Sequence, residues 1–545
     1  MPRHQTIMAP TILRRRRFRS LPRAYPPLAL LLLLAAPRAA GGDNVARTLR
    51  LGGRIPYTAL DFFAVPFFVP PGTAELQANH SCTDGANTSN ILDFGLADCG
   101  GSVIGWGGGN AEPAVVGARA TSRSYMLPAG GALQTGCNYS ALFGKARVAV
   151  PPAHFALDVT LRDAPTLAPQ PQRAPYARAA PLAVPAAPLT WFSGDFHVHS
   201  RESGDAFANA TLDEIAAFAR SVGLDFVHVS DHNAVSASTF MVDAQSRHPD
   251  LLLLPGVEFT TYSGHGGALF TTSFVDHRIG NPGATIQGAA DAIHAQGGLL
   301  SINHLANYEP DANGDLRNTC VGCAWSYGGT LSAQSLDAVE VAVQTWTRQG
   351  QIQSPRALEY WDRLHFLGHT HVAPIGGSDD HHGGASPGSE GSVIGSPTTM
   401  VLAANLSHAA IREGVALGRV ALKFNNASDP LVDLVGTSSG GASVRVGGTL
   451  AGLPLGATVT LQATVTASAV GGAGRPSMNL QLVRNNEQTV TVALPQALPF
   501  SYSVDVPLPD GGQDRWRAEL HDAADDQIVC MTNHVFLNAA AQAGR

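Results

Sequence analysis

Short apolar runs in the middle of this chain end, one after another, beside histidine, aspartate or glutamate. In the first run, His197 and His199 stand two residues apart. Alternate residues of a strand point to the same side, so both imidazoles can reach one metal ion. Ligand-type residues continue at Asp205, Asp231, His232, Glu258, His265, His304, Glu340, Asp379 and His381. Because the carboxyl ends of strands in a βα barrel converge, the pattern predicts one shared metal site.

Helical patterns separate several of these runs. Thr211-Leu-Asp-Glu has the form of a capping box and predicts the start of a helix. Residues 286–296 predict a second helix, stopped by Gly297-Gly298, and residues 355–367 predict a third. Strands alternating with helices indicate a parallel sheet, and the length suits a small barrel.

The regions on either side of this segment have a different pattern. Short alternating apolar runs separated by Gly, Pro and Asn predict a β-sandwich before it and a second, smaller one after it. A segment rich in Pro and Ala reads as an extended linker. The predicted limits are 1–42 for a signal peptide, 43–162 for the N-terminal β-sandwich, 163–189 for the linker, 190–424 for the βα domain and 425–545 for the C-terminal β-sandwich.

The first 42 residues have the features of a secretory signal peptide. Arg14 to Arg17 precede an apolar stretch from Pro26 to Ala36, and small residues follow at Ala39-Ala40-Gly41. This stretch is shorter than the ~20 residues that a membrane-spanning helix needs. We therefore expect export to the periplasm or the extracellular space, with no stable membrane span after cleavage. An uncleaved membrane anchor is the alternative.

The charge of the chain outside the signal peptide is acidic. Eight of the 35 Lys and Arg residues lie in residues 1–42 and none of the 42 acidic residues does, which leaves a net charge of −15. Such a surface repels phosphate backbones, so we expect no nucleic-acid partner. A small anionic substrate stays possible because bound metal ions would dominate the local field.

Six cysteines in an exported chain are compatible with disulfides. Cys82 and Cys99 flank a loop rich in Gly, Asn and Asp, and they are the predicted partners. Cys320 and Cys323 form an isolated Cys-x-x-Cys, for which a local disulfide is favoured over a zinc site.

The motifs resemble, in order, those of the PHP (polymerase and histidinol phosphatase) domain, and their arrangement is most similar to the CehA/McbA-type branch of metallohydrolases. The resemblance rests on His197-Val-His199-Ser, Ser230-Asp231-His232-Asn233, Pro255-Gly256-Val-Glu258, Gly264-His265, Ile302-Asn-His304 and Gly377-Ser378-Asp379-Asp-His381. The flanking Gly105-Trp106-Gly-Gly and Cys530-Met531-Thr532-Asn533 also resemble β-domains of that branch. The resemblance implies a distorted seven-stranded (βα) PHP barrel that holds two or three divalent ions.

The resemblance also implies how the ligands are shared. One ion would be held by His197, His199, Glu258 and Asp379, and Glu258 would bridge to a second ion held with His265 or His304. A third site would use Asp205, His232 and His381. Asp205 stands where trinuclear members have histidine, which favours a weaker site or a harder ion such as manganese. The ligand set suits zinc, manganese or iron.

The expected enzyme is an exported metal-dependent hydrolase, and the resemblance favours a phosphoesterase. Two ions ~3.5–4 Å apart can share a hydroxide that attacks phosphorus or a carbonyl carbon. His232 or His381 would protonate the leaving alcohol where it is not fully used as a ligand. The small-molecule substrate would be an ester.

Two alternatives remain open. The same metal site could hydrolyse a carbamate or a carboxylic ester, a chemistry known in the CehA-like branch. A cavity without arginine would favour this reading, because phosphate oxygens are commonly bound by arginine. The second alternative is a non-catalytic surface binding protein with structural metal. The sequence specifies neither substrate-binding residues nor an oligomeric state.

Overall fold

The structure is a computed structural model. It describes residues 45–56, 60–83, 90–148, 152–170, 176, 188–305, 308–310, 316–318, 322–345, 348–364, 372–384, 393–468, 477–508 and 513–538. The predicted signal peptide lies outside these residues. Within them, no helix is long and apolar enough to cross a membrane.

Two four-stranded sheets form the N-terminal region and share one apolar core. Their orders are β1-β8-β3-β6 and β2-β7-β4-β5. Strand β8 illustrates how the strands contribute to this core. Its residues Phe155, Leu157, Val159 and Leu161 are buried and alternate with more exposed residues. The strands are β1 (Val45–Arg54), β2 (Phe62–Val69), β3 (Glu75–Thr83), β4 (Ile91–Ala97), β5 (Val103–Gly108), β6 (Ala114–Gly117), β7 (Cys137–Arg147) and β8 (His154–Arg162).

The disulfide in this region differs from the predicted one. Cys99 is bonded to Cys137, so the expected pair of Cys82 with Cys99 is wrong. Cys99 follows β4 and Cys137 opens β7, and these strands are neighbours in one sheet, whereas Cys82 lies on β3 in the other sheet. Sheet pairing, which sequence spacing does not reveal, therefore decides the partner. Cys323 is also disulfide-bonded, and Cys320 lies outside the described residues.

The central region forms part of a 15-stranded sheet whose order is β17-β16-β13-β12-β11-β10-β9-β18-β19-β28-β27-β24-β25, with β22 and β29 attached beside it. Strands β9, β10 and β11 are parallel neighbours, as are β13, β16 and β17. The strands of this region are β9 (Thr190–Val198), β10 (Phe226–Val229), β11 (Leu252–Thr261), β12 (Gly264–Leu269), β13 (Leu299–Ile302), β14 (Tyr308–Pro310), β15 (Leu316–Asn318), β16 (Ala338–Val343), β17 (Ala373–Gly377), β18 (Thr398–Ala403) and β19 (Val420–Lys423).

The predicted seven-stranded (βα) barrel is not seen; the region is a mixed α/β structure with few helices. Strand β12 runs antiparallel to both β11 and β13, which interrupts the parallel order. Strands β18 and β19 then extend the sheet beyond β9. The ends of β9 and β17 still meet, through a bridge between Val198 and Asp380 and a 2.8 Å hydrogen bond from Asp379 N to His197 O. This contact brings the first and last sequence motifs together.

Five α-helices are found among the described residues: α1 (Leu212–Ser221), α2 (Met241–Arg247), α3 (Ile286–Ala295), α4 (Arg348–Leu364) and α5 (His408–Ala416), with short 3₁₀ turns at Ser236–Thr239 and Ala333–Ser335. Thr211 caps α1 by accepting a hydrogen bond from Glu214 N, as the capping pattern predicted. Helix α4 begins at Arg348, whereas the sequence predicted a start at Pro355, so the predicted start was too late.

The C-terminal strands continue the central sheet. Strand β19 pairs with β28, and a four-stranded sheet, β21-β20-β23-β26, packs on this part through a common apolar core. The strands are β20 (Leu431–Ser438), β21 (Ser443–Arg445), β22 (Thr449–Leu450), β23 (Thr458–Thr466), β24 (Met478–Arg484), β25 (Glu487–Ala493), β26 (Phe500–Pro507), β27 (Asp514–Asp522), β28 (Ile528–Thr532) and β29 (Val535–Leu537). The domain limits stay a prediction.

Candidate metal centre

The carboxylate of Glu258 lies at the centre of a buried cluster of histidines. Glu258 stands on β11 just after this strand changes from parallel pairing with β10 to antiparallel pairing with β12. Its Oε1 is 2.7 Å from His304 Nε2 and 3.4 Å from His265 Nδ1. Its Oε2 is 2.8 Å from His232 Nδ1 and 3.6 Å from His199 Nε2. The side chain is completely buried, so one carboxylate touches imidazoles that come from four different chain segments.

The His-x-His pair lies beside this carboxylate at the end of β9. The Nε2 atoms of His197 and His199 are 3.1 Å apart. Asp379 Oδ1 lies 3.3 Å from His197 Nε2 and 3.0 Å from His199 Nε2. His197 Nε2 is also 3.4 Å from Glu258 Oε1. The geometry therefore brings together the four residues that the family resemblance assigned to the first ion.

A second group of side chains lies on the solvent side of the cluster. Asp205 Oδ2 is 3.2 Å from His232 Nε2 and 3.4 Å from His381 Nε2. The rings of His199 and His381 stack with their centroids 3.9 Å apart. The side chains of His232 and His381 are each 22% exposed, so this group is more open to solvent than His197, His199 and Glu258, which are at most 1% exposed.

All nine predicted ligands belong to overlapping groups whose potential ligand atoms lie within 4.8 Å of one another. These groups are His199, Asp205, His232 and His381; His197, His199 and Glu258; His197, His304 and Asp379; His232, Glu258 and His265; and His265 and His304 with Cys323. Cys323 was not among the predicted ligands. Its participation in a disulfide removes the thiolate that binds metal.

Glu340, on β16, orients two members of the cluster. Its Oε1 is 2.9 Å from His197 Nδ1, and its Oε2 accepts a 2.7 Å hydrogen bond from His304 N. When an imidazole donates its Nδ1–H to a carboxylate, Nε2 is unprotonated and its lone pair is free to bind a metal ion. Glu340 therefore aims the Nε2 atom of His197 at Asp379 and Glu258.

Asp231 does not reach the cluster, although its neighbour His232 does. It accepts hydrogen bonds from Ser200 N at 2.6 Å and from Ser200 Oγ at 2.8 Å. Burial raises the pKa of Asp231 to about 8, against the opposing effect of the two bonds from Ser200. Asp231 thus fixes the chain just after His199.

Two members of the cluster have backbone conformations that L-residues rarely adopt. His304 has φ of 24° and Asp379 has φ of 57°. Such strain persists only where surrounding contacts hold it, and here the amide N–H of each residue is bonded to a neighbour, Glu340 and His197 O respectively. The backbone is therefore bent where the two side chains turn toward Glu258 and His199.

Burial and the neighbouring charges shift the pKa values of the cluster residues in opposite directions. Burial would raise the pKa of Glu258, but the nearby charges of His197, His232, His265 and His304 hold it well below its usual value. Burial would lower the pKa of His381, but Asp205 and Asp379 raise it to about 9. The carboxylates are therefore ionised at neutral pH, as metal ligands must be.

The donor set fits divalent metal ions. Within the described residues, Nε2 of His265 and Nδ1 of His304 are buried and have no hydrogen-bond partner. A buried polar atom of this kind needs a partner, and an ion would supply one to an imidazole nitrogen. Mixed imidazole and carboxylate ligands suit zinc, manganese or iron.

A cavity of about 390 Å³ opens beside the cluster, between the N-terminal strands and the central sheet. Asp205, His232 and His265 line it from the cluster side. The opposite wall includes Asp93 from β4 and Trp106 from β5. This volume lies in the range of small-molecule sites, about 300–1,000 Å³.

The N-terminal wall of the cavity was not predicted from the sequence. Asp93 carries no motif, and packing of the N-terminal strands brings it to Tyr262, which directly follows β11. The sequence Gly105-Trp106-Gly-Gly was noted, but only as a resemblance to a β-domain and not as part of the site. The glycine run itself was the available signal, because glycines often stand where a backbone must approach another group closely. A Cβ on Gly105 would lie 2.3 Å from a Tyr125 ring atom.

No family model matches this chain, and no curated protein does. A solved two-domain protein from Bacteroides vulgatus ATCC 8482, containing a predicted PHP-like metal-dependent phosphoesterase, is similar over 66% of this chain and 99% of its own, with 19% identity and a TM-score of 0.34. A protein from Bifidobacterium adolescentis ATCC 15703, proposed to be a metal-dependent phosphoesterase, is similar over 36% of this chain and 91% of its own, with 18% identity and a TM-score of 0.24. At these scores the likenesses carry no conclusion about activity.

Proposed function

We propose that this protein is an exported metal-dependent hydrolase that cleaves phosphoesters. The observation that carries the proposal is the Glu258 carboxylate, which lies within 3.6 Å of ring nitrogens of His199, His232 and His304 and beside an open cavity. Structural metal sites are closed by protein ligands, whereas catalytic sites keep a position open to substrate. Export rests on the signal-peptide pattern of residues 1–42.

Phosphoesters are the favoured substrates because the cluster has enough imidazole and carboxylate ligands for more than one ion, and sites with two ions are typical of phosphatases. Divalent ions, when bound, activate water for attack and stabilise the charge that develops on the substrate oxygens. His197, His199, Glu258 and Asp379 would hold one ion, and Glu258 with His265 and His304 would hold another. Asp205, His232 and His381 are the proposed ligands of a third.

Where the third ion is not bound, His232 is free of metal and is the better placed of the two candidates for proton transfer. It lines the cavity, and Asp205 and Glu258 raise its pKa well above the usual value although burial opposes them. His381 is not among the described residues that line the cavity, and its Nδ1 lies 2.9 Å from Asp379 O. We expect His232→Asn to slow release of phenol more than release of 4-nitrophenol, because the more acidic alcohol needs less protonation.

Carbamate or carboxylic ester hydrolysis is the second candidate, and one observation favours it. No lysine or arginine is found among the described residues that line the cavity. A phosphate would therefore gain positive charge from the ions alone, whereas a neutral ester would need no further cation.

The test compares substrates that share one leaving group. We would assay 4-nitrophenyl phosphate, bis(4-nitrophenyl) phosphate, 4-nitrophenyl acetate and 4-nitrophenyl N-methylcarbamate, before and after removal and return of Zn²⁺ or Mn²⁺, with Glu258→Gln as control. Phosphoester cleavage that needs metal and Glu258 supports the proposal. Cleavage of only the acetate or carbamate supports the second candidate. Tight metal binding without turnover of any substrate would favour the non-catalytic alternative.

A further inference from the structure

The cavity beside the metal centre contains one carboxylate that the proposed reaction does not use. Asp93 Oδ2 accepts a 2.7 Å hydrogen bond from the Tyr262 hydroxyl. Its Oδ1 makes no hydrogen bond within the described part of the chain, and it lies 3.6 Å from the position of a Cβ on Gly109. Gly109 also lines the cavity, so this carboxylate oxygen faces a wall that carries no side chain at that position.

Aromatic contacts hold the wall around Asp93 in place. The Tyr262 ring stacks on Phe62, with centroids 5.2 Å apart and an interplanar angle of 8°. Trp106 packs edge-on against His277 at 4.4 Å. Burial raises the pKa of Tyr262 well above its ordinary value, so its hydroxyl stays a donor. Tyr262 therefore fixes one oxygen of Asp93, which leaves the other for a ligand.

The N-terminal strands are also fastened to the loop that carries Asp205. Asn110 Nδ2 donates a 2.7 Å hydrogen bond to Gly204 O, and Arg123 Nη1 donates one of 2.7 Å to Ala206 O. These bonds stand on both sides of Asp205 in the sequence. They join the loop of Asp205 to the N-terminal region that carries Asp93, and a specificity site needs such supporting contacts.

The charge of the cavity indicates which chemical group this wall would accept. Burial raises the pKa of Asp93 to about 6, and the hydrogen bond from Tyr262 opposes this rise. Asp93 is therefore mostly ionised at neutral pH, and no lysine or arginine among the described lining residues pairs with it. A carboxylate beside aromatic rings is the environment that binds ammonium groups, through an ion pair and cation–π contacts.

We propose that Asp93, oriented by Tyr262, selects substrates whose organic group carries an ammonium, while the ester group lies at the metal centre. This inference rests on the proposed phosphoesterase function and adds a substrate class to it. The substrate is then a zwitterion, with its anionic end at the metal ions and its cationic end at Asp93. The N-terminal β-strands supply substrate specificity rather than only a neighbouring domain.

The test uses two phosphates of similar shape, 4-(aminomethyl)phenyl phosphate and 4-methylphenyl phosphate. The readout is the ratio of their kcat/KM values, because it cancels any change in metal content or folded fraction. We expect the full-length, metal-loaded protein to favour the ammonium substrate by about tenfold or more, and Asp93→Asn to reduce this ratio to about two or less. Tyr262→Phe, which leaves the charge but removes the orienting hydroxyl, should give an intermediate ratio even where Asp93→Asn does not fold.

Asp158→Asn is the matched control, because Asp158 is an exposed carboxylate on β8 of the same region. It should keep the ratio of the unmodified protein. Equal kcat/KM values for the two substrates, or a preference that survives in Asp93→Asn, would overturn the inference and leave the phosphoesterase proposal intact. If neither phosphate is cleaved, the phosphoesterase proposal fails, and calorimetric titration with benzyltrimethylammonium decides the inference alone. Binding at least tenfold tighter than in Asp93→Asn supports it, and equal binding refutes it.

Discussion

Replacing Glu340 with glutamine should weaken metal binding without removing any predicted ligand. In the structure, one oxygen of Glu340 is bonded to His197 Nδ1 and the other to His304 N. A glutamine side chain has one oxygen and one NH₂ group, so it can accept only one of these two hydrogen bonds. Its NH₂ group then faces a second donor in a site where Glu340 is 1% exposed.

The magnitude follows from these two contacts. A buried donor left unpaired costs about 1–3 kcal/mol, and loss of the charge weakens the remaining bond by about 1 kcal/mol. The metal-free protein should therefore lose about 2–4 kcal/mol of unfolding free energy. Because His197 is no longer held in one orientation, metal affinity should fall about 10- to 100-fold.

The assay is competition for Zn²⁺ with a fluorescent chelator, together with urea denaturation of the metal-free protein. Glu75→Gln is the control, because Glu75 is also fully buried and accepts hydrogen bonds from Thr166 N and Leu167 N, far from the cluster. It should lose stability but keep its metal affinity. Equal metal affinity in Glu340→Gln and Glu75→Gln would refute the reasoning and make Glu340 a residue of the fold only.

Three further predictions concern the Cys99–Cys137 disulfide, the buried His228 and the Glu258 carboxylate. Cys99→Ser with Cys137→Ser opens a bond between residues 38 positions apart, so urea denaturation of the N-terminal region should show a loss of about 4 kcal/mol; an unchanged midpoint would contradict the pairing. Burial lowers the pKa of His228 to about 3, so its neutral form stabilises the fold above pH 6.5 and this contribution falls as the pH drops toward 3. Between pH 6.5 and 5 the loss is about 2 kcal/mol, and His228→Leu should show a correspondingly smaller loss over that range; identical pH dependence would exclude this role. Glu258→Gln should remove at least one bound ion, as measured by metal analysis, and retention of all ions would argue against the shared carboxylate.

The proximity of the candidate ligands could be predicted from the sequence because their residue types and strand positions are both local features. His197 and His199 share one side of an apolar run, and Asp379 follows another run. Strand ends converge in any sheet of this type, so the proximity of these residues needed no knowledge of the exact topology. The capped start of α1 was equally local.

The observed mixed sheet could not be predicted in place of the barrel, because the sequence of β12 is not typical of a strand. Its residues Gly264-His265-Gly266-Gly267 have little β propensity, and only pairing with β11 and β13 makes them a strand. The antiparallel turn there ends the regular βα order.

The partner of Cys99 and the wall with Asp93 were unpredictable for a related reason. Both depend on which strands of the N-terminal region become neighbours, and this pairing joins residues far apart in the sequence. The Asp93 contact with Tyr262 spans 169 positions. Sequence spacing carries no information at that range.

Metal content of the purified protein is the most direct test of the central claim. We would measure zinc, manganese and iron per chain by inductively coupled plasma mass spectrometry, in the unmodified protein and in His197→Ala. The account predicts two or three divalent ions per chain and fewer in the variant, because His197 lies within 3.4 Å of both Glu258 and Asp379. A protein that retains no metal after incubation with these ions would contradict the assignment of the cluster as a metal centre.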